Sequence, residues 1–300
     1  MGRIYFINAA DGTLLHTMTT GFGDPANPSG LAQVAGYTET FHNQLVDQIY
    51  GGDLYGNLWR FDVMDPNPAN WTVAKMAYLT DPSGDPQPVT TTPNIEIDAV
   101  NGIDRWVFVG TGRLLDPTDL TNPSIANQFQ TLYAIRDGTE ITPLPLTSVL
   151  QPRTSMVALT DRVNGVASKP QFGWYDDLPA GQRIVTPPQA AISLVAYAGT
   201  EAQTDPCLTG QPAVLYVRNF SYGASLLTDL SGTPIVGISE ASGAVGMGIF
   251  SFPGSGSGSN GSLDIRIGVT AGTTGDVTFF KVNVNFPFSA HRMSWRLLGQ

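Results

Sequence analysis

The amino-acid sequence predicts an all-β fold built from repeated strand-and-turn units, and three observations carry that reading. Aromatic-bearing strands recur along the chain and most run into turns rich in Asp, Gly, Asn, Pro or Ser. Glycine (33 residues) and proline (22) are frequent enough to punctuate many short strands. Helical periodicity is scarce, because the same two residues interrupt most longer windows. With 42% hydrophobic and only 13% charged residues, the 300-residue chain can bury a sizeable core, and its surface must be rich in uncharged polar groups.

The clearest unit is YGGDLYGNLWRFDV, residues 50–63. Asp53 and the pair Gly56-Asn57 read as turn chemistry, and Leu58, Trp59, Phe61 and Val63 as a strand that ends near a second acidic corner at Asp62. The unit recurs as IYFINAADGTLL (4–15), LWRFDVMDP (58–66), TLYAIRDGTEIT (131–142), VLYVRNFSYGASLL (214–227) and FFKVNV (279–284). Aligning Tyr5, Trp59, Tyr133 and Tyr216 gives spacings longer than the roughly 40 to 50 residues of compact propeller blades, which implies insertions between strands. Further strands are expected at WVFVGTG (106–112), RIVTPP (183–188), AISLVAYAG (191–199) and LDIRIGVT (263–270). In the last, Leu263, Ile265, Ile267 and Val269 share one face, the pattern of a half-buried strand. A turn or two of helix is expected within 154–163, and GSGSGSNGS (254–262) reads as a flexible connection or hairpin tip.

A net charge of −10 gives no basic footprint for nucleic acid or anionic lipid. No window approaches the roughly 20 apolar residues of a membrane span, so membrane insertion is not expected. The chain begins directly on a strand with no signal-peptide pattern, which reads as a fragment of a longer protein in preference to a cytosolic one. Cys207 has no partner for an internal disulfide and no cationic neighbour to activate it. Signatures of nucleophile elbows, phosphate loops, zinc proteases and paired cysteines are missing, and His16, His42 and His291 sit in unrelated contexts. No catalytic residue and no cofactor is therefore expected. Asp176 and Asp177 are consecutive, so they point apart and read as a solvated turn in preference to a glycosidase pair. Trp59 and Trp106 are expected in the core, whereas Trp174 and Trp295 read equally as core or as exposed rings able to stack on sugars. Gly110 and Gly112 are expected to allow close backbone approach or a bulge.

Taken in order, GGDLYGNLWRFDV, VFVGTGRLLDPTDL (107–120) followed by QTLYAIRDG (130–138), GWYDDLPAGQR (173–183), DPCLTGQPAVLYVRNFSYG (205–223) and HRMSWRLLG (291–299) form a series. It resembles the C-terminal propeller domain of the PilC/PilY proteins, the type IV pilus assembly factors and tip adhesins. The resemblance implies that residues 1–300 are a single such domain, a modified, partial β-propeller with long inter-strand loops that lacks the family's first blades. It also implies a non-enzymatic module that acts with minor pilins and other pilus-tip components, opposes pilus retraction and contributes to adhesion on a host or abiotic surface. The implied location is the bacterial cell surface, pilus tip, outer membrane or periplasm. Two other classes stay open: a quinoprotein-like enzyme, because IYFINAADGTLL resembles the repeats of quinone-dependent dehydrogenase propellers, and a generic protein-binding scaffold.

Many relatives in that family carry an EF-hand-like, Asp-rich loop just before their counterpart of Asp53. Carried over, it makes Glu39, Asn43 and Asp47 the candidate calcium ligands, with Leu45 offering only a backbone carbonyl. Phe41 supplies no side-chain oxygen, Gln44 stands where glycine is usual, and no terminal bidentate Glu follows, so the loop reads as degraded and an ordinary polar turn is preferred. The stretch DPTDL, with Asp116 and Asp119, likewise reads as a capping turn. The proline- and polar-rich loops 81–93 and 114–127 are the candidate partner contacts, expected on one face of the fold and removable without unfolding it.

Overall fold

Alternation of side chains along each strand organises the structure, a computed structural model that describes residues 1–39, 45–98, 103–201, 211–253 and 263–282. Strands β1 (Arg3–Ile7) and β2 (Leu14–Thr19) form a hairpin, sheet 1. Sheet 2 is an antiparallel meander of β3 (Val34–Tyr37), β4 (Gln48–Gly52), β5 (Asn57–Asp62) and β6 (Thr72–Tyr78). Sheet 3 contains β7 (Asn94–Asp98), β8 (Asp104–Gly110), β9 (Thr131–Thr139), β10 (Val157–Ala158) and β11 (Gly173–Asp177), in the order β10-β11-β9-β8-β7. Two short helices, α1 (Thr118–Thr121) and α2 (Pro123–Ala126), interrupt the β8–β9 connection, and α3 (Pro152–Ser155) precedes β10.

Sheet 4 is built from β12 (Gln182–Arg183), β13 (Gln189–Ala191), β14 (Leu194–Glu201) and β15 (Ala213–Asn219). After a small hairpin of β16 (Leu227–Thr228) and β17 (Pro234–Ile235), β18 (Ile238–Glu240) returns to the edge of sheet 4. Sheet 5 holds β19 (Gly246–Pro253), β20 (Leu263–Thr270) and β21 (Val277–Val282). Apart from the β16–β17 hairpin inserted before the last strand of sheet 4, each sheet uses one contiguous stretch of chain, so the sheets follow one another in sequence order.

Period-2 alternation then packs each sheet against the next. In β8, Val107 and Val109 join Tyr50, Leu58 and Met76 of sheet 2 in one buried cluster, while Trp106 and Phe108 join Tyr197 and Tyr216 of sheet 4 in another. In β14, Val195 and Tyr197 face sheet 3, whereas Leu194, Ala196 and Ala198 meet Ile265, Ile267 and Val269 of sheet 5. In β5, Leu58 faces sheet 3, and Trp59 and Phe61 close over Met18, Ile4 and Phe6 of sheet 1. Successive sheets, antiparallel except for the parallel β10–β11 edge of sheet 3, stacked face to face are the expected all-β, propeller-like arrangement.

Two of these interfaces also bury a Tyr–Asp–Arg group. Between sheets 2 and 3, the Tyr50 hydroxyl donates to Asp137 (2.5 Å) and Arg60 Nη1 donates to the other carboxylate oxygen (2.7 Å). Arg105 reaches back from sheet 3 to Gln48 Oε1 (2.8 Å) and Tyr50 Oη (3.2 Å), its guanidinium 3.8 Å from the centre of the Tyr37 ring. Burial, reinforced by the Asp137 charge, pushes the Tyr50 hydroxyl well above the ordinary tyrosine value, so it remains a neutral donor. Between sheets 3 and 4, Asp176 accepts from Tyr197 Oη and from Arg162 (2.7 and 3.0 Å) and pairs with Arg218 (3.5 Å).

Several expectations change here. Asp176 is fully buried in β11, not in a solvated turn, because strand alternation turns it towards sheet 4 and its neighbour Asp177 towards Arg153 and Thr131 on the opposite side. The strand expected at 183–188 shrinks to Gln182–Arg183: the Ile184 N–H leaves the ladder to donate to the Thr111 carbonyl (2.9 Å), and Pro187 and Pro188 have no amide hydrogen to resume it. The helix expected within 154–163 is the single turn α3, after which the chain turns extended in β10. Trp59, Trp106 and Trp174 are all core residues. The segment 254–262, Cys207, His42, His291 and Trp295 lie outside the described residues.

Asp176→Ala strands two arginines at a buried interface and is expected to destabilise the fold by about 3–5 kcal/mol. Asp177→Ala removes a more exposed pair, with Asp177 34% accessible, and should lose less, about 1 kcal/mol. Urea denaturation of both variants checks the contrast.

Candidate partner-binding loop face

The β4–β5 turn, the β6–β7 connection and the β8–β9 connection leave the same end of sheets 2 and 3, as the antiparallel registers require. Asp53, buried at the first of these, sets the geometry. Its Oδ1 accepts the N–H groups of Tyr55 (2.9 Å) and Asn57 (3.0 Å), and its Oδ2 accepts the Trp59 indole (2.9 Å). Gly56 has φ +72°, and a side chain there would strike the Leu79 carbonyl oxygen, so the turn requires glycine. The Leu79 N–H donates to Gly56 (2.7 Å) and the Val89 N–H to Asp53 (3.0 Å), so this turn is the floor on which the β6–β7 connection rests.

That connection divides in two. Residues 82–86 form an exposed tip, closed by Asp81, whose Oδ1 accepts the N–H groups of Ser83 (2.8 Å) and Asp85 (3.0 Å). The rest turns inward, with Gln87, Val89 and Thr91 buried. Gln87 Nε2 donates to the Phe129 carbonyl (2.6 Å) and to Thr131 Oγ1 (2.8 Å), while its Oε1 accepts from Tyr133 Oη. Gln128 Nε2 donates to the Pro86 carbonyl (2.9 Å). The two loops singled out in the sequence are thus stitched into one surface. The first, however, is removable only at its tip, because its second half is core.

The β8–β9 loop is held from inside by Asp119 and from beneath by Arg183. Asp119 accepts from Arg113 Nε (2.6 Å) and from the N–H groups of Leu115 (2.8 Å) and Asp116 (3.2 Å), and so forms the expected capping turn. Burial pushes the Asp119 carboxyl up, but these donors outweigh it and hold the group below the usual carboxylate range. Arg183 donates to the carbonyls of Arg113 (3.0 Å), Asp119 (3.1 Å) and Ala126 (3.3 Å). Above this scaffold Leu115 is 68% and Phe129 43% exposed. A side chain at Gly112 would press on Arg183 Cβ (2.7 Å), so this glycine allows the close approach the sequence suggested.

The arrangement suits binding: an exposed surface with apolar points on a backbone held by buried side chains. Sequence reasoning missed Gln87, Arg183 and Asp81 as organisers. Only the turn signal DPSGDP announced Asp81, and nothing local marks a glutamine or arginine that acts across loops. The calcium candidates lie elsewhere, at the β3–β4 connection on the opposite end of sheet 2. There the Glu39 N–H donates to Asp47 Oδ2 (2.7 Å), and Asn43, with Phe41 and Gln44, lies outside the described residues.

No protein-family model matches the chain. A curated Xylella fastidiosa protein named type IV pilus biogenesis factor PilY1 homolog is 31% identical over 276 residues, which cover 85% of this chain and 21% of the relative. A second protein of that name and organism is 24% identical over 262 residues, covering 75% and 17%. The crystal structure of the Pseudomonas aeruginosa PilY1 C-terminal domain matches with a TM-score of 0.65 over 93% of this chain and 66% of that one, at 16% identity. The chain belongs to the PilC/PilY family. This PilC/PilY chain spans about a fifth of the length of the curated relatives it matches, and its all-β, propeller-like fold is shared with the solved PilY1 domain.

Asp119→Ala is expected to raise protease cleavage within 114–127 severalfold and to lower the stability of the PilC/PilY chain by about 1–2 kcal/mol. Because the folded-state pKa of Asp119 lies below its unfolded value, its stabilisation is complete above the unfolded value and is lost as pH falls through the folded one. The protection of the Leu115 and Asp116 amides against hydrogen exchange, relative to their intrinsic rates at each pH, should therefore fall below about pH 4.

Proposed function

We propose that this chain is a non-enzymatic module of type IV pilus biogenesis and adhesion, which contacts minor pilins or other pilus-tip components and a host or abiotic surface. The observation that carries this reading is the composite loop face, where Gln87 and Gln128 join two exposed connections and Arg183 and Asp119 hold the larger one rigid. A preorganised surface loses little conformational entropy on docking, and its exposed Leu115 and Phe129 are the anchors on offer. The names of the curated relatives supply the pilus context. The reading places the chain on the bacterial surface, at the pilus tip, outer membrane or periplasm, and among the described residues no helix is long and apolar enough to cross a membrane. Calcium at Glu39, Asn43 and Asp47 is a lesser part of the proposal, tested by whether a chelator lowers the unfolding midpoint.

The double variant Leu115→Asp/Phe129→Asp alters two exposed side chains and is expected to keep its melting midpoint while weakening capture of purified minor pilins about tenfold or more. In cells it should lower the number of surface pili. Unchanged capture together with unchanged piliation would remove the loop face from the mechanism.

A further inference from the structure

We propose that the cleft beside the Asp81 turn is a binding site for a neutral saccharide. The cleft is an open recess of about 420 Å³ between the tip of the β6–β7 connection and α3, with Tyr78, Thr80, Asp81, Ser83, Gln151 and Arg153 among its walls. That volume falls within the range of small-molecule sites. Asp81 is only 6% exposed. Its Oδ1 is engaged by the N–H groups of Ser83 and Asp85, whereas Oδ2 has no hydrogen-bond partner among the described residues. That oxygen is the solvent-reached part of a side chain otherwise buried in the turn, so an incoming donor has only water to displace from it. The turn holds that oxygen in place, so an incoming donor meets an acceptor already oriented.

The rest of the wall selects the kind of donor. Arg153 lines the cleft, but its guanidinium is engaged by Asp177 (2.6 Å) and the Thr80 carbonyl (2.9 Å) and lies 4.6 Å from the centre of the Tyr175 ring. A hard cation would want six or more oxygens, several of them charged, and would find one carboxylate beside an arginine. An anion would meet the open oxygen of Asp81. A neutral ligand rich in hydroxyls suits these polar walls: it donates to Asp81 Oδ2 and exchanges hydrogen bonds with Thr80, Ser83 and Gln151. The site rests on the reading of this end as a contact face for its biological use, and it adds the chemical class of one thing that is contacted.

The test is ligand-observed NMR on the 300-residue chain with a panel of glucose, galactose, mannose, N-acetylglucosamine and their β-linked disaccharides, with sialic acid as a charged comparator in the same experiment and calcium chloride by isothermal titration calorimetry. At least one neutral sugar is expected to bind in the millimolar range. Asp81→Asn keeps an oxygen for the turn but turns the free acceptor into a donor, and should weaken binding about tenfold. Gln151→Ala, on an exposed side chain outside the turn, should weaken it as well without any change in melting midpoint, which keeps the test valid if Asp81→Asn is unstable. Binding of no neutral sugar, equal binding by wild type and Gln151→Ala, or a preference for calcium or sialic acid overturns the proposal. Sugar binding without minor-pilin capture sinks the pilus reading alone, and capture without sugar binding sinks this one alone.

Discussion

Sheet 3 carries a buried carboxylate towards each of its neighbours, Asp137 towards sheet 2 and Asp176 towards sheet 4, and the arrangement of the central sheets depends on both being satisfied. Apolar faces alone tolerate sliding, because contact between aliphatic side chains has little directional preference. A desolvated carboxylate does not. Asp137 has to meet Arg60 and Tyr50, which are cross-strand partners in sheet 2, and Asp176 has to meet Arg162, Arg218 and Tyr197. Removing either partner leaves an uncompensated charge inside the stack, a larger penalty than the net gain from forming the pair. The clamps therefore act chiefly on specificity, setting how far one sheet is displaced along the next.

That register governs the loop face. Gln87 can reach Phe129 and Thr131, and Gln128 can reach Pro86, only when the ends of sheets 2 and 3 lie level. Arg183, at the start of sheet 4, finds the carbonyls of the β8–β9 loop under the same condition for sheets 3 and 4. Buried ion pairs in the middle of the stack and exposed Leu115 and Phe129 at its end are thus parts of one mechanical arrangement. A surface held in this way can vary in its exposed residues while its backbone stays in place.

The local grammar of the chain was open to sequence reading where one element explains itself. The Asp53 turn, the strand after it, the capping turn at Asp119 and the alternating strand at Leu263–Thr270 each follow from residue type and period. Reading failed where a residue answers to a distant partner. Asp176 is one of two consecutive carboxylates in GWYDDLP and looks solvated, yet strand alternation sends it into an interface that no local pattern reveals. RIVTPP has the composition of a strand, but after Arg183, whose side chain serves the adjacent loop, the Ile184 N–H turns to the Thr111 carbonyl and the ladder ends.

By itself the sequence determined the all-β class and the strand-and-turn repeat, because period-2 alternation and turn chemistry are encoded within a few residues, and its ordered motifs carried the family resemblance. Only the tertiary structure decided which side chains do long-range work. Gln87, Asp137, Asp176 and Arg183 each bond to groups at least a loop away, and the free oxygen of Asp81 is recognisable only once its neighbours are in place. Those roles come from which groups lose water together when the sheets stack, and that is a property of the assembled molecule.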